Sequence, residues 1–430
     1  MTKGDSRWFV HDRFGMFIHW GIYAMPARHE WVKNREEIPD EKYDIYFKNF
    51  NPDLFDASQW AKMAKQTGMK YAVITTKHHD GFCLFDSKYT DYKATNTPAK
   101  RDLIREFVDA FRENGLKIGF YYSLIDWHHP DFTIDSFHPL RNHPDRDKLN
   151  KYRDMSKYRQ YLHNQIKELL TNYGKIDILW CDFSYPSGPN TPAGWIGKGR
   201  QDWDSENLVK MIRSLQPHIL INNRLDLPEE ADFLTPEQID VPGALTVDGK
   251  PVVWEACHTF SGSWGYHRDE ASWKSVDVLV KMLIDIVSKN GNLLLNVGPT
   301  ARGEFDSRAT ERLTGIGEWM KSHSRSIYGC TQAPDEFKPP KDCRLTYNPE
   351  TNRLYIHIFS WPYRFLQVDF GERIEYAQLL NDASEIPVQK IRYPYFRNRN
   401  QDEEISMTTL LLPVQKPDVC VPVIEVFLKK

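Results

Sequence analysis

Short, almost continuously apolar runs alternate with segments of helical pattern between residues 14 and 330. Apolar runs that do not alternate with polar residues are typical of strands covered on both faces, as in parallel sheets. These runs predict strands at residues 14–21, 71–76, 117–123, 176–182, 218–224, 252–259 and 292–298. Repeated strand–helix units over this length favour a TIM-like (β/α) barrel, with a doubly wound sheet as the alternative.

Helix signals lie between the predicted strands. Asp56 is a typical N-cap for a helix at 57–67, and Gly68 is a typical residue just beyond its end. Apolar residues at three- and four-residue spacing predict a second helix at 101–114, and Ser275 precedes a third stripe of this kind. The helices therefore fall where crossovers between parallel strands require them.

The pattern changes near residue 331. A proline-rich stretch at 334–340 is followed by sequence without helical periodicity, and residues 348–352 carry a hairpin signal between two strand-like runs. We therefore predict two domains, a barrel at 1–335 and a C-terminal antiparallel β-sandwich at 336–430.

Charge and composition limit the classes of binding partner that we expect for this chain. The net charge of −3 gives no basic field for nucleic acid or anionic lipid. No apolar run of membrane-spanning length and no signal-like N-terminus is visible, so we expect a cytoplasmic protein without membrane contact, although a trimmed secretory chain would look the same. Assembly into a homo-oligomer is left open. Aromatic residues make up 13% of the chain and include 13 Trp, which either fill a large core or line a sugar site.

Polar side chains follow the predicted strands at the end where a parallel barrel gathers its βα loops. This placement predicts one shared site. Its candidates are His19 after the first strand, His78 and His79 after the second, Tyr122 at the end of the third, Asp182 at the end of the fourth, Arg224 at the end of the fifth, and then Glu237 and Glu255.

Two kinds of chemistry fit these residues. His19, His78, His79 and Asp182 could ligate zinc or manganese in a metal-dependent hydrolase. Glycoside hydrolysis instead needs two carboxyl groups, one ionised below the anomeric carbon and one protonated beside the leaving oxygen. Asp182 near a cationic Arg224 suits the first role, and Glu237 or Glu255 suits the second.

Six motifs occur in an order that resembles the α-L-fucosidases of glycoside hydrolase family 29. They are Phe-Gly-Met-Phe-Ile-His-Trp-Gly (14–21), His-Glu-Trp (29–31), Thr-Lys-His-His-Asp-Gly-Phe (76–82), Leu-Trp-Cys-Asp (179–182), Ser-Trp-Gly-Tyr (263–266) and Asn-Gly-Asn-Leu-Leu-Leu-Asn-Val-Gly-Pro (290–299).

The resemblance implies a retaining exo-α-L-fucosidase that acts on a fucosylated glycan or glycoside and uses neither cofactor nor metal. It places the nucleophile at Asp182 and, more weakly, the acid/base at Glu237, with Glu255 as second choice. It also implies a substrate-binding set, with Trp264 facing the C6 methyl of fucose. The set is His19, Glu30, Trp31, His78, His79, Trp180, Arg224 and Trp264. The metal-dependent hydrolase and a sugar-binding protein without turnover are the alternatives.

Overall fold

A curled parallel sheet forms the N-terminal part of the computed structural model, which describes residues 4–392 and 406–430. The sheet runs in the order β5-β4-β3-β2-β1-β9-β8, and every pair in it is parallel. The predicted barrel-type fold is confirmed. The strands up to residue 297 are β1 (Phe14–Ile18), β2 (Tyr71–Lys77), β3 (Lys117–Ser123), β4 (Ile178–Asp182), β5 (Leu220–Ile221), the separate hairpin of β6 (Thr246–Val247) and β7 (Lys250–Pro251), β8 (Glu255–Thr259) and β9 (Asn292–Val297).

Residues 232–238 close the barrel between β5 and β8 without forming a regular strand. The Asp232 amide donates to the Ile221 carbonyl at 2.8 Å. On the other side, the Gln238 amide donates to the Cys257 carbonyl at 3.1 Å. Isolated parallel bridges on both sides show that this segment takes the place of an eighth strand.

The interior of the barrel is packed with side chains. A single buried cluster fills it, formed by Phe9, Phe17, Tyr71, Val73, Tyr121, Ile178, Trp180, Leu220, Phe233, Cys257 and Leu294. A barrel of this size is a filled core and not a pore, so a ligand has to bind above the packed layer, at the strand ends.

Helices cover the outside of the sheet and begin where the sequence places caps. Asp56 accepts hydrogen bonds from the amides of Ser58 and Gln59, and Ser275 accepts from the amide of Val278. The helices are α1 (Arg7–Asp12), α2 (Val32–Arg35), α3 (Asp40–Asn49), α4 (Ala57–Gln66), α5 (Leu103–Glu113), α6 (Arg146–Asn150), α7 (Met155–Asn172), α8 (Arg200–Trp203), α9 (Ser205–Leu215), α10 (Val276–Ser288) and α11 (Ser307–His323). None of the helices in the described ranges is both long and apolar enough to cross a membrane.

Among the described residues, the strands after β9 form two antiparallel sheets, in the orders β10-β11-β12-β17-β14 and β13-β16-β15. Apolar side chains of both sheets share one buried cluster, as in a β-sandwich. The domain boundary between residues 335 and 336 stays a prediction. The first strand of these sheets begins before it, at Thr331. The strands are β10 (Thr331–Gln332), β11 (Cys343–Asn348), β12 (Arg353–Ile358), β13 (Phe365–Val368), β14 (Ile374–Leu379), β15 (Val388–Arg392), β16 (Ser406–Leu411) and β17 (Val423–Leu428).

Candidate active site

A cavity of about 450 Å³ lies at the carboxyl ends of the barrel strands. It gathers residues that are far apart in the sequence, because the βα loops of a parallel barrel open onto one face. The predicted site residues that line it are His19, Trp31, His78, His79, Trp180, Asp182, Glu237 and Trp264.

Arg224 joins Asp182 and Glu237, two residues of the cavity lining, in one ionic group, although Arg224 itself does not line this cavity. Nη1 of Arg224 donates to Oδ1 of Asp182 at 2.8 Å, and its Nη2 donates to Oε2 of Glu237 at 2.7 Å. The hydroxyl of Tyr121 donates to the other oxygen of Asp182 at 2.8 Å. A single guanidinium therefore joins both carboxyl groups, since its fork can bind two acceptors at once.

The surroundings of Asp182 shift its pKa in opposite directions. Burial raises the pKa of Asp182 above its ordinary value, and the neighbouring Glu237 raises it further. The charge of Arg224 and the hydrogen bonds from Arg224 and Tyr121 lower it. Without these two donors, a carboxylate this deeply buried would take up a proton much more readily.

Arg224 is itself held in place from several sides. It lies in a short helical turn after β5, and its Nε donates to Oγ1 of Thr235 at 3.0 Å. Oδ1 of Asn223 accepts from both the amide and the hydroxyl of Thr235. The guanidinium carbon lies 4.5 Å from the ring centre of Trp180, within cation–π range.

Neutral imidazoles form another side of the cavity. Burial lowers the pKa of His19 to about 3 and lowers the pKa values of His78 and His79 well below the ordinary value. His19 Nδ1 lies 2.6 Å from the side-chain oxygen of Asn296, and His79 Nδ1 lies 2.7 Å from Ser123 Oγ. Because the Ser123 hydroxyl donates to the Ile125 carbonyl, its oxygen accepts from His79. In both rings Nδ1 thus carries the proton, and Nε2 is left as an acceptor.

Metal ligation would require these imidazoles to converge with further donors. Among the residues that the structure describes, no three His, Cys, Asp or Glu side chains are arranged to hold a metal ion. The arrangement offers hydrogen-bonding groups for a polar, uncharged ligand.

Glu30 lies behind the cavity wall and not in its lining. Its Oε2 accepts the amides of Trp264 and Gly265, at 3.1 and 2.8 Å, and so fixes the loop that presents Trp264. Oε1 of Glu30 lies 3.2 Å from His29 Nδ1, but that nitrogen already accepts the Trp31 amide and has no proton to donate. Burial raises the pKa of Glu30 to about 7.

Glu255 lies inside the barrel core, away from the lining of the cavity. It is the first residue of β8, fully buried within the barrel, and its oxygens accept from Tyr71 Oη at 2.6 Å and Trp180 Nε1 at 3.3 Å. Burial raises the pKa of Glu255 to about 8. A general acid has to reach the leaving oxygen of the substrate, and Glu255 does not line the cavity.

Tyr122 is also placed away from the cavity. Successive side chains of a strand point to opposite faces, and the Tyr122 hydroxyl donates to Gln165 of α7 at 2.8 Å, on the helical side of β3. The predicted contact of Tyr122 with substrate does not fit this position. Its neighbour Tyr121 faces inward and bonds Asp182 instead.

Besides Tyr121, five further residues that were not predicted as site residues line the cavity. They are Phe17, Arg35, Phe137, Phe183 and Cys257. Phe137 comes from the long insertion after β3, where no periodic signal pointed to a site. Phe17 and Cys257 lie on strands that were predicted, but only their inward orientation gives them a role.

The family model of alpha-L-fucosidases matches residues 2–325 of this chain. Plasma alpha-L-fucosidase of Homo sapiens is 31% identical over 386 residues, which cover 83% of this chain and 76% of that protein. Among solved structures, alpha-L-fucosidase isoenzyme 1 from Paenibacillus thiaminolyticus has a TM-score of 0.89 and 46% identity, and the match covers 99% of both chains.

A second solved structure concerns the reaction. An alpha-L-fucosidase of family GH29 from Bacteroides thetaiotaomicron, described as a trapped covalent intermediate in complex with 2-fluoro-fucosyl fluoride, has a TM-score of 0.81 and 29% identity. The match covers 98% of this chain and 95% of that chain.

Proposed function

This chain belongs to the alpha-L-fucosidase family of glycoside hydrolases, and we propose that it releases terminal α-L-fucose in two steps, through a covalent fucosyl ester of Asp182. The observation that carries the proposal is the ionic group of Asp182, Arg224 and Glu237 at the cavity. It supplies the two carboxyl groups that a retaining glycosidase requires.

In the first step, Asp182 attacks the anomeric carbon while Glu237 gives its proton to the leaving oxygen. Arg224 and Tyr121 bind the oxygens of Asp182, so they orient it and favour its ionised form. Glu237 lines the same cavity and is part-exposed, within reach of a group that leaves toward solvent.

In the second step, Glu237 takes a proton from water as that water attacks the ester. Arg224 faces one negative charge throughout: Asp182 carries it at the start, and Glu237 carries it once Asp182 has become a neutral ester. Because the total charge around Arg224 does not change, its guanidinium stabilises both states without moving.

Fucose is held by the neutral imidazoles and the aromatic walls. The Nε2 atoms of His19 and His79 accept from sugar hydroxyls, and Nδ1 of His78 is buried without a partner among the described residues. The rings of Trp264 and Phe17 lie 6.0 Å apart and provide an apolar wall for the C6 methyl. The trapped intermediate of the Bacteroides relative supports the covalent step proposed here.

Replacing the nucleophile tests the mechanism directly. We expect Asp182→Gly to lower kcat on an aryl α-L-fucoside by at least about a thousandfold, because no ester can form. Added azide should restore part of the turnover by attacking from the space that the side chain leaves, and the product should be the β-fucosyl azide. Product analysis by NMR checks this.

Two controls accompany this variant. Asp147→Gly removes a highly exposed aspartate and should leave kcat unchanged, and wild-type enzyme with azide should show no rescue effect. Turnover of Asp182→Gly near the wild-type rate, without azide, would refute the assigned nucleophile.

A further inference from the structure

A second cavity, of about 470 Å³, adjoins the one assigned to fucose. Phe137, Asp182 and Phe183 line both. In the proposed mechanism, the anomeric carbon lies beside Asp182, where the two cavities meet. A substituent on that carbon therefore has the second cavity directly next to it.

Aromatic rings form one wall of this second cavity. The ring centre of Tyr185 lies 4.7 Å from that of Phe137 and 5.3 Å from that of Phe183. Trp195 packs behind them, with its ring centre 5.2 Å from Phe137. The Tyr185 hydroxyl donates to Asp135 at 2.5 Å, which fixes the ring in place.

The backbone conformation of Phe183, the residue after Asp182, determines where its ring lies in this wall. Phe183 has φ of 81°, in the left-handed region that a residue with a bulky side chain rarely adopts. Strand alternation would turn Phe183 away from Asp182, toward the helices. The left-handed turn instead brings its ring to the boundary between the two cavities, where it also contacts Trp31 and His79.

The other wall of this cavity is polar. Asn223, Arg224, Asp226 and Thr235 lie on it. Oδ1 of Asn223 is occupied by Thr235, while no described residue accepts a hydrogen bond from the NH₂ group of Asn223. That group is available to a hydroxyl or ether oxygen of a bound ring.

We propose that this second cavity is the subsite for the leaving group and that it selects a ring with a flat apolar face, stacked on Tyr185. The proposal rests on the fucosidase function proposed above. Such a face is offered by the pyranose of a glycan or by the aryl group of a glycoside, and both can also meet the polar wall.

Three substrates distinguish an effect on the binding of the leaving group from an effect on the chemical steps at Asp182. In α-L-fucosyl fluoride the leaving group is a single atom and cannot occupy the subsite, whereas an aryl α-L-fucoside and a fucosyl disaccharide can. The quantity to measure is the ratio of kcat/KM for each ring-bearing substrate to kcat/KM for the fluoride. Any general effect on fucose binding or on Asp182 cancels in this ratio.

Tyr185→Leu keeps apolar bulk but removes the flat ring, so we expect the ratio to fall by about threefold to tenfold. Tyr185→Phe keeps the ring and loses only the bond to Asp135, so it should retain most of the ratio. Tyr152→Ala, at a tyrosine that is 81% exposed elsewhere on the surface, is the control for tyrosine loss.

The outcomes separate the two proposals. If the ratio falls for the disaccharide alone, the subsite is one for glycans. If it falls for the aryl fucoside alone, the subsite is one for aryl glycosides. Either result supports the subsite. An unchanged ratio in folded Tyr185→Leu overturns it. If wild-type enzyme hydrolyses none of the three substrates, the fucosidase function itself fails.

Discussion

Arg224 is the residue on which both carboxyl groups of the site depend. It donates to Asp182 and to Glu237 from the two ends of one guanidinium and packs, part-buried, against the ring of Trp180. A lysine could not bind both acceptors in this planar geometry. Arg224 therefore orients both carboxyl groups and opposes the effect of burial on the pKa of Asp182.

Removing the charge of Arg224 should shift the pH dependence. Burial raises the pKa of Asp182, and the positive charge of Arg224 lowers it. Arg224→Met removes that charge, so the pKa of Asp182 should rise. Because kcat/KM requires ionised Asp182 in the free enzyme under the proposed mechanism, we expect the acid limb of the pH profile of kcat/KM to move to higher pH. Arg268→Met, at an exposed arginine paired with Asp269, should leave that limb in place. An unmoved limb in Arg224→Met would contradict the assignment.

The choice between Glu237 and Glu255 can be decided by the leaving group. Glu237→Ala should lower kcat/KM by about 10²- to 10⁴-fold for poor leaving groups and much less for good ones, because only poor leaving groups need the proton. Glu255→Gln should show no such dependence, since Glu255 bonds Tyr71 and Trp180 inside the barrel. The dependence on leaving-group pKa, measured over a series of aryl fucosides, gives the answer. A steep dependence in Glu255→Gln would reverse the assignment.

Among the structural elements, the irregular segment 232–238 connects the closure of the barrel with the site. It closes the barrel, and it places Glu237 in the lining of the fucose cavity and Thr235 in the lining of the adjoining cavity. Asp232 fixes its start, since Oδ2 accepts from the Ile221 amide at 2.8 Å and from Arg213 Nη2 at 2.5 Å. The position of Glu237, the proposed acid/base, thus depends on a buried ion pair at the other end of the segment.

Breaking that ion pair should destabilise the protein. Asp232→Ala leaves Arg213 and the Ile221 amide without their buried acceptor, and we expect unfolding to become easier by about 3 to 5 kcal/mol. Denaturant titration followed by fluorescence measures this. Asp147→Ala removes an exposed ion pair and should change stability by less than about 1 kcal/mol. A loss of similar size in both variants would show that the Asp232 bonds do not hold the segment.

At the scale of the whole molecule, the barrel and the C-terminal sheets share a core. Tyr355, Val421 and Val423 of the C-terminal part belong to the same buried cluster as the barrel helices. Nε1 of Trp319 in α11 donates to the Val421 carbonyl at 2.8 Å. The C-terminal part therefore completes the packing of the barrel on its outer side.

A chain truncated after residue 335 should consequently fold poorly. The truncation exposes the apolar surface of α11 and leaves Trp319 Nε1 without its acceptor, which costs stability on both counts. We expect a lower melting temperature than for the full chain purified in parallel, together with increased binding of a hydrophobic dye. A truncated chain with the same sharp transition and full fucosidase activity would show that the barrel is independent.

The sequence by itself determined the parallel strands, their order along the chain and the polar residues at their ends, because these follow from local periodicity. It could not show which of Tyr121 and Tyr122 faces the barrel interior. Strands buried on both faces do not alternate between apolar and polar residues, so their sequence does not reveal the inward side. Nor could it place Glu255 at the start of β8, or show that segment 232–238 closes the barrel, since that segment is held by hydrogen bonds to both neighbours and has no strand pattern of its own. Those features were decided only by the tertiary structure, because register and closure depend on contacts between residues far apart in the chain.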